Sequence, residues 1–207
     1  MQAPSQTPLL RPGVLDGQVI AVAGPAGGLG RAAAEACGAL GAHVEQLGAE
    51  GHRVDLLDEP AVEAAIEAIA AAEHGLHTLV IDAAGMFAAA EPDAMEPLRA
   101  AADPAWVLAR AAATRAMIPR GGGKVVTLAP AAGAGDFAHA ARAALENLSR
   151  TLSIEWARHH VRLTTVTPGE GTAARDVALF VAFLASPAGD YYSGCRFSLG
   201  EAQPAPS

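Results

Sequence analysis

Short apolar runs alternate with longer amphipathic segments along most of this chain. The short runs are almost continuously apolar, as expected of parallel strands that are covered on both faces of a sheet. The longer segments repeat apolar residues at helical spacing, as at Val62, Ile66 and Ile69. The pattern predicts strands at 18–23, 42–47, 77–83, 124–129, 161–167 and 196–199, and helices at 28–40, 60–73, 104–118, 139–158 and 173–185.

This alternation predicts an α/β fold with a doubly wound parallel sheet and helices on both faces. Parallel neighbours require crossover connections, and the intervening helices supply them. A length of 207 residues suits a single domain, and no repeat or linker divides the chain. We expect the domain to span 17–200, with a flexible proline-rich arm over 1–16 and a flexible tail over 201–207.

A glycine-rich turn joins the first predicted strand to the first predicted helix. From Gly24 to Gly30 it has the sequence G-P-A-G-G-L-G, with the spacing G-x-x-x-G-x-G. Glycines so placed permit a tight turn, the close approach of a pyrophosphate and close helix–strand packing. The turn is therefore a candidate dinucleotide cradle, and a tight turn without a ligand is the alternative. No acidic residue clearly ends the second strand, so the choice between NAD and NADP stays open.

Composition and charge argue against several classes of partner. A formal net charge of −8 disfavours binding to nucleic acid, and an aromatic content of 4% offers few stacking surfaces. No apolar run approaches the roughly 20 residues that a membrane-spanning helix needs. Cys37 and Cys195 suggest two buried thiols rather than a disulfide framework. We expect a cytoplasmic protein without a secretory signal, a membrane partner or a metal site.

The order of seven short motifs resembles that of the short-chain dehydrogenase/reductase family. The glycine turn resembles its T-G-x-x-x-G-x-G, Asp55-Leu56 its adenine-holding pair, and 82–85 its N-N-A-G. Further along, 125–133 resembles I-V-N-I-S-S-x-x-G, the helix from Ala141 resembles S-K-A-A-L, 161–169 resembles I-R-V-N-x-x-x-P-G, and Ser193-Gly194 resembles a T-G pair. The resemblance covers roughly 17–200 and implies a Rossmann-like fold that binds NAD(P).

The same resemblance assigns cofactor contacts residue by residue. The positions are Gly24, Gly28, Leu29, Gly30, Asp55, Leu56, Ala83, Gly85 and Arg142. The ribose-binding acid and the lysine of the family are missing. We therefore expect this chain to bind NAD(P) weakly or not at all.

The residues that would perform the chemistry of the family are absent. Its serine falls on Pro130, its tyrosine on Ala138 and its lysine on Arg142. Proline cannot donate a hydrogen bond to a substrate oxygen, and alanine has no proton to exchange. No Tyr-x-x-x-Lys sequence occurs anywhere in the chain, so this loss does not depend on the alignment. We assign no catalytic residue.

Three functions remain open at this stage. The first is a catalytically inactive subunit of an alcohol/ketone oxidoreductase, paired with a complete homologue or with itself through the helices at 104–118 and 139–158. The second is a nucleotide-sensing or scaffold protein. The third is an active reductase in which His139 or Asp136 replaces the tyrosine, although both residues suit a solvated loop and helix start.

Overall fold

A seven-stranded parallel sheet forms the centre of the computed structural model, which describes residues 10–48, 51–71, 75–93 and 95–200. The strand order is β3-β2-β1-β4-β5-β6-β7. The strands are β1 (Val19–Gly24), β2 (His43–Gly48), β3 (His52–Arg53), β4 (Thr78–Ile81), β5 (Gly123–Leu128), β6 (Val161–Pro168) and β7 (Cys195–Leu199). The order reverses direction between β1 and β4, so the carboxyl ends of these two strands form the crevice where such sheets bind ligands.

Helices cover both faces of this sheet, which confirms the predicted doubly wound α/β fold. They are α1 (Gly28–Ala39), α2 (Glu59–Ala71), α3 (Ala83–Ala89), α4 (Glu96–Ala112), α5 (Ile118–Arg120), α6 (Ala138–Glu155) and α7 (Ala174–Ala185). A π-helical turn, Ala113–Met117, joins α4 to α5. On one face α1 packs against α7, and on the other α4 lies between α2 and α6. No helix in the described ranges is long and apolar enough to cross a membrane.

The central strand β1 shows why its sequence is continuously apolar. Ile20 and Val22 pack into the layer of α1 and α7, whereas Val19, Ala21 and Ala23 pack into the layer of α2, α4 and α6. Successive side chains of a strand point to opposite faces, so a strand covered on both faces needs apolar residues at every position. The neighbouring strand β4 is buried in the same way.

The short strand β3 was not predicted, and two predicted elements have clearly different boundaries in the structure. The strand predicted at 77–83 ends at Ile81, because the Asp82 side chain caps a short helix, α3, that begins at Ala83. The helix predicted from Pro104 begins earlier, at Glu96. Proline is common at the first position of a helix, and this preference led to the wrong start. Pro104 instead lies inside α4 and is buried.

The folded part of the chain begins ahead of the boundary predicted at residue 17. The Leu15 side chain is fully buried in the layer of α1 and α7, and its N–H donates to the carbonyl of Leu40 at 3.0 Å. Residues 10–16 therefore include part of the core. The remainder of the predicted arm, 1–9, and the whole predicted tail, 201–207, lie outside the described residues.

Candidate nucleotide site and catalytic centre

The glycine turn wraps around the buried side chain of Asp82 at the crevice between β1 and β4. The Gly30 N–H donates to Asp82 Oδ2 at 2.8 Å, and the Gly85 N–H donates to Asp82 Oδ1 at 2.9 Å. A Cβ atom at Gly30 would lie 2.8 Å from Asp82 Oδ2, and one at Gly85 would lie 2.7 Å from the same oxygen. Both contacts are too short for carbon and oxygen, so packing around Asp82 itself requires these glycines.

The outer part of the turn is open. Gly27 and Gly28 have φ values of 128° and 60°, which favour glycine. A Cβ atom at Gly27 would have no neighbour within 4 Å, and one at Gly28 would lie 3.6 Å from Asp82 Oδ2. Gly27 begins α1 without a side-chain cap, so the helix N-terminus is suited to an anion. Leu29 contributes to the core, since its side chain packs into the layer of α1 and α7.

Asp82 is a site residue that the sequence analysis missed. Burial raises the pKa of its carboxyl group, and the hydrogen bonds from Gly85 and Gly30 act in the opposite direction. The carboxyl group lies behind the cradle and binds the N–H groups of Gly30 in the turn and Gly85 in α3. The position of Asp82 in the sequence could have indicated this role, because Asp82 directly follows β4, and β4 pairs with β1 at the crevice.

A cavity of about 610 Å³ adjoins the glycine turn on the β2 side of the crevice. Gly24, Pro25, Asp55, Leu56 and Met86 contribute to its wall, and α4 closes the far side with Arg99, Asp103 and Pro104. The structure thus brings the predicted adenine pair, Asp55-Leu56, together with the cradle. The Asp55 carboxylate is exposed and accepts a hydrogen bond from the Leu57 N–H at 3.0 Å. The wall therefore combines apolar residues with the carboxylates of Asp55, Glu96 and Asp103 and the guanidinium of Arg99.

The end of β2 explains the missing ribose-binding acid. Gly48 has a φ of 119°, and a Cβ atom there would lie 2.9 Å from the carbonyl oxygen of Gly24. A residue with a side chain at this position would therefore push the glycine turn away. The next two residues, 49 and 50, lie outside the described residues, and Arg53 on β3 is exposed. Among the described residues, no side chain at the end of β2 indicates a preference for NAD or NADP.

The catalytic positions lie at the other half of the same edge, after β5 and β6. Pro130 is buried just beyond β5, and Ala138 is buried at the first position of α6. The buried Arg142 guanidinium donates through Nη1 to the carbonyl of Pro130 at 3.1 Å and to that of Pro168, at the end of β6, at 3.2 Å. The predicted contact between Arg142 and a ribose stays a prediction, since these bonds direct the guanidinium to two strand ends.

The two candidate substitute acids, His139 and Asp136, contribute to different cavities. His139, Arg142 and Glu146 line a cavity of about 560 Å³ near Arg196. Asp136 lines another, of about 370 Å³, beside Phe87 and Phe137. Both residues are exposed, as expected of a solvated loop and helix start. Across the residues whose positions are described, no group of three or more His, Cys, Asp or Glu side chains could hold a metal ion.

Comparisons with known proteins agree with this geometry. Residues 18–176 match the family model described as short chain dehydrogenase. The chain is similar to a citronellol catabolism dehydrogenase from Pseudomonas aeruginosa, at 26% identity and a TM-score of 0.76, over 92% of this chain and 96% of that one. It shares the fold of an L-sorbose reductase from Gluconobacter frateurii complexed with NADPH and L-sorbose, at 20% identity and a TM-score of 0.74, over 89% and 95%. No curated protein sequence matched.

Proposed function

We propose, because the chain belongs to the short-chain dehydrogenase/reductase family, that it is a catalytically inactive member of that family. In this proposal it is the partner subunit of a catalytically complete homologue, in an assembly that interconverts an alcohol and a ketone. The observation that carries the proposal is the position of Arg142, whose guanidinium is bound to the backbone of Pro130 and Pro168. Arg142 thus makes structural hydrogen bonds at the position where the resemblance places the catalytic lysine.

The proton chemistry of the reaction supports loss of activity. Hydride transfer to a ketone needs a donor that protonates the new alkoxide, and a positioned acid contributes roughly 10²–10⁴ in rate. Ala138 has no titratable group, and its side chain is buried, so it offers the substrate no proton. Pro130 has no side-chain donor to orient the substrate oxygen. His139 and Asp136 are both exposed and line different cavities, so they do not form one reaction centre.

The face offered to a partner subunit is the outer surface of α4 and α6. The apolar stripe that runs along α6 is already used by the monomer core, since Leu145, Leu152 and Trp156 are buried there. The outer surface retains Trp106 on α4 and Ile154 on α6, which are 45% and 75% exposed. Aromatic and aliphatic groups of this size are unfavourable in water and are typical anchors of protein interfaces.

The test of inactivity uses the isolated chain with NAD(P)H and a panel of ketones, and with NAD(P)⁺ and the matching alcohols. We expect no turnover above the rate without protein. Turnover near ~1 s⁻¹, within the ordinary range of enzymes, would contradict the proposal. Loss of such turnover in His139→Ala, but not in Asp136→Ala, would identify His139 as the substitute acid.

The test of partnership uses the native host, with the chain captured from lysate and the bound proteins identified. We expect a family member with an intact Ser-Tyr-Lys set, and we expect Trp106→Glu with Ile154→Glu to abolish its capture. The matched control is Glu155→Gln, a substitution at an exposed polar neighbour of Ile154 on the same helix. A chain that is monomeric by light scattering and captures no homologue would exclude the partner-subunit role.

A nucleotide sensor is the second candidate, and the cavity beside the glycine turn favours it. A cavity of about 610 Å³ with an open cradle is large enough for the adenosine half of a dinucleotide. Calorimetry with NAD⁺ and NADP⁺ tests this candidate, with Gly28→Val as the variant that fills the cradle. A dissociation constant near ~1 μM, about −8 kcal/mol, that is lost in Gly28→Val would favour the sensor over the inactive subunit.

A further inference from the structure

A second cavity lies at the amino-terminal edge of the sheet, at the opposite end of the strands from the glycine turn. We call it the amino-edge cavity, and its volume is about 480 Å³. Its walls come from the beginnings of the central strands, from the glycine-rich link between α5 and β5, and from the turn after α7. The polar members are Gln18, His77, Arg120, Lys124, His160, Arg162 and Asp190.

The amino-edge cavity is lined mainly by positively charged side chains, although the chain as a whole is acidic. Arg120, Lys124 and Arg162 line it, and Asp190 is the single carboxylate among its lining residues. The whole chain has 22 acidic residues against 14 lysines and arginines, with a formal net charge of −8. The cavity therefore has a local excess of positive charge on a chain that is acidic as a whole.

Lys124 is held rigidly on one side of the cavity. Its Nζ donates to the carbonyls of Ala185 at 2.9 Å and Ser186 at 2.6 Å, and it lies 2.8 Å from Asp190 Oδ1. Burial lowers the pKa of Lys124, Asp190 opposes that effect, and the charge of Arg162 lowers the pKa further. Among the described residues, Asp190 is the one carboxylate that Lys124 contacts, and a single carboxylate among three cations leaves an excess of positive charge.

The two arginines make only long contacts with the described chain. Arg120 Nη1 donates to the Gly122 carbonyl at 3.4 Å, and Arg162 Nη1 donates to the His160 carbonyl at 3.3 Å. A guanidinium has five N–H donors, so one long bond uses little of its capacity. Gly122 also lines the cavity, and a Cβ atom there would lie 3.0 Å from the His160 carbonyl oxygen, so glycine is favoured at this position.

We propose that the amino-edge cavity binds a small phosphoryl-bearing anion through the guanidinium groups of Arg120 and Arg162. Planar guanidinium groups match the oxygens of a phosphoryl group two at a time, and Lys124 adds a fixed positive charge. A phosphoryl group carries close to two negative charges, which suits a cavity with three cations and one carboxylate. The site is separate from the nucleotide cradle and does not depend on the proposed function.

The experiment measures the melting temperature and the calorimetric affinity with pyrophosphate, and in a separate arm with inorganic phosphate, at constant ionic strength. We expect pyrophosphate to raise the melting temperature of the wild type. The double variant Arg120→Ser/Arg162→Ser should bind it at least about tenfold more weakly, since charge-assisted hydrogen bonds are lost. Arg175→Ser is the matched control, because it removes one exposed arginine that does not line this cavity.

Three results would overturn the proposal. One is an unchanged affinity in the double variant, and another is an equal response to citrate, which would indicate charge alone. The third is loss of binding in Gly28→Val, which would place the anion at the glycine turn instead. If the serine variant does not fold, Arg120→Lys/Arg162→Lys keeps the charge without the planar groups, and an unchanged affinity there would also contradict the proposal.

Discussion

The two halves of the carboxyl-terminal edge of the sheet match the motifs of the family to different degrees. At the β1–β4 half the glycine turn has all three glycines of the motif, whereas at the β5–β6 half Pro130, Ala138 and Arg142 lie where the resemblance places serine, tyrosine and lysine. The glycines are required by the fold, because Gly30 and Gly85 are packed against Asp82. A catalytic tyrosine or serine is not required by this packing. Retention of the glycine turn is therefore weak support for nucleotide binding, whereas the residues at the other half bear directly on the proposed inactivity.

The largest effect is expected at the β5–β6 half, from Arg142→Met. The carbonyls of Pro130 and Pro168 would lose their guanidinium donor, and each unsatisfied buried group costs roughly 1–3 kcal/mol. We expect a loss of about 3 kcal/mol in the free energy of unfolding, measured by urea denaturation. The matched control on the same helix is Arg150→Met, whose exposed ion pair with Glu146 should be worth less than about 1 kcal/mol. Equal losses in both variants would show that Arg142 does not brace the strands.

At the β1–β4 half, Gly30→Ala should destabilise the protein without any ligand present. The new Cβ would lie 2.8 Å from Asp82 Oδ2, and relieving such overpacking typically costs about 1–3 kcal/mol. Gly38→Ala on the same helix is the control, because its Cβ would meet only Val44 at 3.9 Å. That control should stabilise α1 by about 0.5–1 kcal/mol. A neutral Gly30→Ala would mean that the glycine is kept for a ligand rather than for packing.

The pH dependence of stability tests the charge behind the cradle. Burial raises the pKa of Asp82 in the folded protein above its ordinary value of 3.8. The folded state then holds this proton more tightly than the unfolded chain does. The contribution of Asp82 to stability is therefore greatest below pH 3.8 and is lost as the pH rises through the folded pKa.

We expect the stability of the wild type, relative to Asp82→Asn, to fall as the pH rises from about 3 towards about 8 in urea denaturation experiments. The constant cost of the asparagine cancels in this comparison, because only the slope is used. A relative stability that instead increases with pH would show that the hydrogen bonds from Gly30 and Gly85 outweigh burial.

The reactivity of the two cysteines compares the glycine-turn half of the protein with the β5–β6 half without any substitution. It is expected to show the smallest effect. Cys37 on α1 is fully buried, and burial raises its pKa to about 12, so it has little thiolate at about pH 8. Cys195 at the start of β7 is partly exposed, so the prediction of two buried thiols was wrong for this residue. We expect a thiol reagent to modify one cysteine quickly in the native protein and both in denaturant, with mass spectrometry identifying Cys195. Rapid native labelling of Cys37 would show that the glycine-turn half opens readily.

The sequence predicted the sheet, its helices and most element boundaries, because burial on two faces leaves a strong apolar signal at each strand. It did not predict α3, because the cap supplied by Asp82 depends on a turn that no hydrophobic period marks. It also placed the start of α4 too late. Pro104 is compatible with a helix start locally, and only the packing of the preceding turn against the core shows that the helix began earlier.

Prediction of the site was limited by long-range contacts. The glycine turn and Asp55-Leu56 could be found from spacing and resemblance, and the structure places them around one cavity. The role of Asp82 depends on N–H groups 52 and 3 residues away. The contacts of Arg142 join residues 12 and 26 positions apart. Neither set leaves a local pattern, so residue type and spacing could predict which positions differ from the family's motifs but not the contacts that the residues at those positions make.

The contacts of Arg142 also have a consequence for engineering catalysis into this chain. A lysine at this position would leave the carbonyls of Pro130 and Pro168 without their guanidinium donor. A tyrosine at Ala138 would meanwhile require room for a ring at a position that is 1% exposed. Each of these substitutions made alone should lower stability before any rate is gained. An engineered reaction centre would therefore need compensating changes at the two strand ends that Arg142 joins.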